Sequence, residues 1–166
     1  MLSIVDILRH NGYTGRVVID SKDTDVYAES ALAASQNDGD LLIKRGGDMV
    51  DCSKLVSSDM TECVVPLHIF TGNDGASSFY GHGKSKLYEK VENSPRAQEQ
   101  IQHLGEDESL EEECVQKLLA FTREVIYGDF HSKSMNQART KKWRKQKNKS
   151  FCRLPPDEDS LRQHIR

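Results

Sequence analysis

The sequence predicts an α/β domain with a parallel sheet in its first half and a helical second half. Three observations point there. The β-branched run Val17-Val18-Ile19 is followed by a helix-forming stretch and then by a second apolar run, Leu41-Leu42-Ile43. Strand, helix and strand in that order make a parallel pair. Asp23 and Asp25 stand just past the first run, and Asp74 stands in the turn Gly72-Asn73-Asp74-Gly75. Carboxylates at strand ends sit where open α/β sheets gather their ligands. Beyond about residue 84 the apolar residues follow a helical period instead.

Each element has its own signal. Residues 2–10 read as a helix, with Ile4, Ile7 and Leu8 on one face and Asn11-Gly12 as its stop. Residues 16–20 read as a buried parallel strand. Asp23 to Gln36 is rich in alanine and has acids in its first turn, both favourable to a helix. Asn37-Asp38-Gly39 ends it. A second strand covers 40–44, Gly46-Gly47 turns the chain, and 49–52 returns as a short strand. A helix is expected over 59–70 despite Pro66. Short helices are expected over 76–80 and 84–91, joined by Gly81-His82-Gly83. Residues 95–103 and 109–127 follow as helices. The latter carries Leu110, Cys114, Val115, Leu118, Leu119, Phe121, Val125 and Ile126 in a broad apolar stripe. Residues 134–149 can form a helix but have only Met135, Ala138 and Trp143 to bury. The domain division expected is 1–93 for the sheet-bearing core with its glycine turn, and 94–166 for a helical extension that contains the basic run 133–149.

The chain has 166 residues, 36 % hydrophobic and 30 % charged, with a net charge of −3. The apolar share is low for a compact domain, so polar segments are expected. The charge is divided rather than diffuse. Residues 106–113 hold six acids and no base, and residues 131–150 hold eight Lys or Arg and no acid. Cys52, Cys63, Cys114 and Cys152 form no Cys-x-x-Cys pair and lie near no zinc-spaced histidines, so they read as structural thiols. Asp6 and Arg9 break the N-terminal apolar run, and no run approaches a membrane span. The expected compartment is intracellular and reducing, without separating nucleus from cytoplasm.

Asp23, Asp25 and Asp74 are the candidate metal ligands. Mg²⁺ and Mn²⁺ want hard oxygen donors, and paired ions can activate water and stabilise the leaving oxygen in phosphodiester cleavage. The alternative is that Asp23 or Asp25 caps the following helix and Asp74 is a turn residue. The stretch 78–85 lacks the first glycine of a phosphate-binding P-loop. Gly81-His82-Gly83 reads from its residues as an ordinary interhelical turn. Lys141, Lys142, Trp143, Arg144 and Lys145 suit a nucleic-acid strand, with Trp143 stacking on a base. A solvated or disordered basic face is the alternative. His68 reads as a packed structural residue.

Two segments carry a family resemblance. Val17 to Val26 (Val-Val-Ile-Asp-Ser-Lys-Asp-Thr-Asp-Val) and Pro66 to Lys84 (Pro-Leu-His-Ile-Phe-Thr-Gly-Asn-Asp-Gly-Ala-Ser-Ser-Phe-Tyr-Gly-His-Gly-Lys) resemble the flap-endonuclease-like branch of the PIN-like nuclease superfamily. The likeness is to members associated with animal transposable elements. The Tyr127-Gly128 turn and the tail Arg153–Arg166 are similar to those proteins as well. The resemblance implies a PIN-like parallel sheet, Mg²⁺ or Mn²⁺ at Asp23, Asp25 and Asp74, and nucleic acid as partner, DNA rather than RNA. It also implies a helix, glycine turn and helix in which backbone N–H groups at Gly81 and Gly83, with Lys84 and Lys86 nearby, meet a DNA phosphate, an ordinary interhelical turn being the alternative. The chain departs from the family pattern at Asn73, at Gly75-Ala76, and above all near Leu2–Ile4, where a Glu-rich pair is expected and no acid stands. The expectation is therefore an N-terminally truncated remnant of a metal-dependent, structure-specific nuclease, impaired as an enzyme when alone. The rivals are a non-catalytic nucleic-acid-binding or scaffold protein, and a nuclease completed by a partner chain.

Overall fold

A computed structural model describes residues 2–36, 40–72, 78–102, 104, 111–147 and 150–165. The protein is α/β. Among the described residues it has eight α-helices and one three-stranded sheet of mixed direction. The chain divides into two compact units, 1–68 and 69–166. The division expected at 93/94 falls inside the second unit.

In the first unit, α1 (Leu2–His10) ends where Gly12 adopts φ +80°, a backbone region that a residue with a Cβ enters at a cost. β1 (Val17–Asp20) leads to α2 (Thr24–Gln36), and α2 leads to β2 (Leu41–Arg45). β1 and β2 pair in parallel, Val17 opposite Leu41 and Ile19 opposite Ile43. A parallel pair needs a crossover, and α2 is that crossover. Gly46, at φ +63°, turns the chain into β3 (Asp48–Asp51), which pairs antiparallel with β2. Val5, Ile19, Ala33, Leu41, Ile43 and Cys52 form one buried cluster. The alternation of Leu41 and Ile43 puts both on the cluster's side of the sheet.

Two expectations for this unit change. Among the described residues β1 is one of the two edge strands of the sheet, not a strand buried on all sides, and Val18 is 46 % exposed. On α1 it is Val5 that enters the core, while Ile4 and Ile7 are exposed. The expected stop at 37–39 lies outside the described residues. α3 (Thr61–Phe70) follows two short 3₁₀ turns and keeps Pro66 inside.

The second unit is helical. It contains α4 (Lys84–Glu92), α5 (Pro95–Ile101), α6 (Glu112–Phe121), α7 (Met135–Lys145) and α8 (Glu158–Ile165). α5 packs against α4 and α6, and α8 packs against α6. Leu87, Val91, Ile101, Leu118, Phe121 and Leu161 are fully buried. Ser94 and Ser134 cap α5 and α7 by accepting from Ala97 N and Gln137 N. The helix expected over 76–80 does not reach Ser78 and Phe79, which are irregular, or Tyr80, which begins a turn. The helix expected over 109–127 becomes a π-helix at Thr122–Ile126, where Tyr127 N–H bonds Thr122 O five residues back. α8 went unpredicted.

Candidate nucleic-acid interface and carboxylate pair

The carboxylate pair belongs to the start of α2. Asp23 is the residue just before the helix. Its Oδ1 accepts from Asp25 N at 3.0 Å, and its own N–H donates to Ser21 Oγ at 3.1 Å. That is helix capping, and the positive end of the helix favours both carboxylates there. Asp25 Oδ1 lies 2.6 Å from His68 Nε2. A carboxylate only accepts, so Nε2 carries the proton in this bond. His68 is buried in α3 and fixes the Asp25 side chain across 43 residues of sequence. Asp20, at the end of β1, pairs with Lys44 at 2.9 Å.

Asp74 lies outside the described residues. No group of three or more His, Cys, Asp or Glu able to hold a metal ion occurs among the described residues. Asp23 and Asp25 each commit one oxygen, to the helix backbone and to His68 respectively. Mg²⁺ is held by one or two carboxylates and completes its octahedron with waters, so the second oxygens of Asp23 and Asp25 are the ones that would serve it.

A second constellation lies in the helical unit and centres on Tyr127. Gly81, at φ +79°, shapes the turn that brings His82 N–H to Phe79 O at 3.0 Å. The His82 ring then meets the Tyr127 ring edge-on, with centroids 4.6 Å apart. From α7, Lys142 Nζ stands 5.0 Å from the centre of the same ring, a cation–π contact. From α4, Lys90 Nζ donates to Val125 O at 2.7 Å, in the π-helix that ends at Tyr127. Three segments distant in sequence thus bring His82, Lys90 and Lys142 together.

Electrostatics register this crowding. Burial, then the nearby Lys142 and Lys90, hold His82 below its ordinary pKa. Burial, then Lys90, also lowers that of Lys142. Burial pushes the Tyr127 hydroxyl up to about 12 against the opposing pull of Arg139, so the phenol stays neutral. Among the described residues, Lys90, Lys142 and Lys145 have no carboxylate partner. Lys141 does, at 2.8 Å from Asp129 Oδ1. Asp129 also accepts from His131 N, Ser132 N and Ser132 Oγ, which ties the loop after Gly128 to α7. A hollow of about 360 Å³ opens beside Tyr127 and is lined by Lys141, Lys142 and Lys145.

The other expected residues have these places. Gly83 is the N-cap of α4 and makes no side-chain cap. Lys84 and Lys86 lie in its first turn. Arg144 and Lys145 are exposed on α7. Trp143 is stacked on Phe151, with centroids 4.9 Å apart and planes 22° from parallel. One face of the indole is therefore covered. Sequence reasoning missed Lys90 and Phe151, and it named Tyr127 only as part of a turn. The regular placement of Lys86 and Lys90 one helical turn apart was the available signal for Lys90.

Among the described residues no helix is long and apolar enough to cross a membrane. Protein-family models, curated proteins and solved structures yield no match to this chain.

Proposed function

We propose that this protein binds the phosphate backbone of nucleic acid through the cations gathered on Tyr127. In this reading it is a remnant of a PIN-like, flap-endonuclease-like nuclease that no longer cleaves on its own. The observation that carries the proposal is the convergence of His82, Lys90 and Lys142, with no carboxylate partner for either lysine among the described residues. Like charges held close raise the free energy of the fold, and an arriving phosphate relieves that repulsion. Both lysines are anchored, Lys90 by a backbone carbonyl and Lys142 by an aromatic face, so little side-chain order is lost on binding.

The ancestry rests on the parallel β1–α2–β2 unit, with Asp20, Asp23 and Asp25 at the carboxyl end of its first strand. Bound Mg²⁺ or Mn²⁺ would supply an activated water and charge stabilisation to phosphodiester cleavage. Asp23 and Asp25 are instead held by helix capping and by His68, which favours binding without cleavage.

The test is fluorescence anisotropy with a labelled oligonucleotide across a salt series. Affinity should fall steeply with salt, and Lys142→Glu should weaken binding and lower the slope of log K against log salt by about 1. Salt-independent binding, or no effect of Lys142→Glu, would refute the reading. Incubation with Mn²⁺ should leave the strand intact. Cleavage abolished by Asp23→Asn/Asp25→Asn would restore the nuclease.

A further inference from the structure

A second hollow, of about 340 Å³, adjoins the first and shares Tyr127 with it. Its volume is at the lower end for small-molecule sites. Its walls differ from those of the lysine-lined hollow. Tyr80, 59 % exposed, and Phe151, 71 % exposed, stand at it as aromatic rings open to solvent. Phe151 is backed by Trp143, stacked nearly parallel. The His164 ring also lines it, held by a 2.9 Å bond from Nε2 to Phe70 O. Two polar groups reach the same space. Arg139 is fixed by donating to Pro155 O. Asp157 accepts from Ser160 N and Oγ, which keeps its carboxyl ionised by lowering its pKa.

We infer that this hollow takes an unpaired nucleobase, so that the protein selects single-stranded over duplex nucleic acid. The inference rests on the phosphate-binding reading above. A flat ring with polar edges is the ligand that stacked aromatics plus one fixed donor and one fixed acceptor would recognise. Exposed aromatics beside anchored cations are how single strands are held, because every base has a stackable face. The two hollows meet at Tyr127. A strand with a phosphate over Lys142 can therefore place a neighbouring base against Phe151. In a duplex the bases are stacked on each other and cannot enter. The pre-formed Trp143–Phe151 stack extends the surface on which the base would lie, and it accounts for the high exposure of Phe151 as a ring with one packed face.

The experiment compares three ligands of equal length on the full chain: a thymidine oligonucleotide, an abasic deoxyribose-phosphate strand, and a blunt duplex. The thymidine strand should bind most tightly. Phe151→Ala and, separately, Tyr80→Ala should each lower its affinity by roughly 5- to 150-fold, the span of one base–aromatic stack. Neither should change the affinity of the abasic strand. Trp143 is the chain's sole tryptophan, so its emission should change on adding the thymidine strand and not the abasic one. Equal affinity for thymidine and abasic strands, or equal losses for both in the Phe151→Ala and Tyr80→Ala variants, would overturn the base site and leave phosphate binding standing. Absence of binding by all three ligands, or binding insensitive to salt and to Lys142→Glu, would overturn both.

Discussion

Replacing Asp129 by alanine should destabilise the helical unit by about 2–4 kcal/mol. The carboxylate accepts four hydrogen bonds: from His131 N and Ser132 N at 3.1 Å, from Lys141 Nζ at 2.8 Å and from Ser132 Oγ at 2.7 Å. These do not contribute equally. His131 is exposed, so water replaces its lost partner. Ser132 is buried, and an orphaned buried N–H costs about 1–3 kcal/mol. The Lys141 side chain is 38 % exposed against 14 % for Asp129, and a partly screened pair adds no more than about 1 kcal/mol. Asp129→Asn keeps an oxygen for the two N–H groups and gives up the ion pair, so it should lose only about 1 kcal/mol.

The pH dependence is also fixed in direction. Burial works against the Asp129 carboxylate, but Lys141, Ser132 and His131 together hold its pKa well below the usual carboxylate range. Its contribution is fully present above the unfolded value near 3.9 and is lost as pH falls through the lower folded value. Urea unfolding followed by Trp143 emission, at pH 7 and stepwise below pH 4, measures both. An Asp129→Ala variant within about 0.5 kcal/mol of the wild type would refute the reasoning. So would an Asp129→Asn variant as damaged as the alanine one.

Three further outcomes concern His82 and the cysteines. Oligonucleotide affinity should rise as pH falls from about 7.5 to 5.5, because a bound phosphate favours protonated His82 while the free protein holds that histidine neutral; anisotropy on His82→Ala should show a flatter profile. The same depressed pKa gives the unliganded fold stability that is present above the unfolded value near 6.5 and lost as pH falls through the folded one. Cys152 should be the fast thiol toward a disulfide reagent at pH 8, since it is exposed while burial raises Cys52 and Cys63 to about 11; Cys152→Ser should remove that fast phase in a stopped-flow titration.

The first unit was largely legible because its signals are local. A β-branched run, an alanine-rich stretch and a glycine pair announce β1, α2 and the β2–β3 turn within a few residues of each. What local signals could not give is the position of β1 in the sheet, since a strand shows its neighbours' absence only in three dimensions. α8 escaped notice because its turns bury only Leu161 and Ile165, too few to mark a period. The Tyr127 group was hidden for another reason. His82, Lys90, Tyr127 and Lys142 lie on three segments, and periodicity reports the face of a single helix, not which faces meet. Asp25 and His68 were each noticed alone. Their bond joins a helix start to a buried histidine 43 positions on, a distance no spacing rule spans.

Among the described residues, β1 ends its sheet with one side unpaired. Val17 donates to Asp40 O on the β2 side, so in the alternation of a strand the backbone groups of Val18 and Asp20 face outward. Such a row invites a further strand, from another molecule if from nowhere else. Two features restrain that recruitment. The strand is only four residues long, and Arg16 and Asp20 set charges at its two ends. These flanking charges act as gatekeepers. Their neutralisation would leave Val17, Val18 and Ile19 as a short, flat, apolar edge, and fibrillar self-association would compete with solubility at high protein concentration.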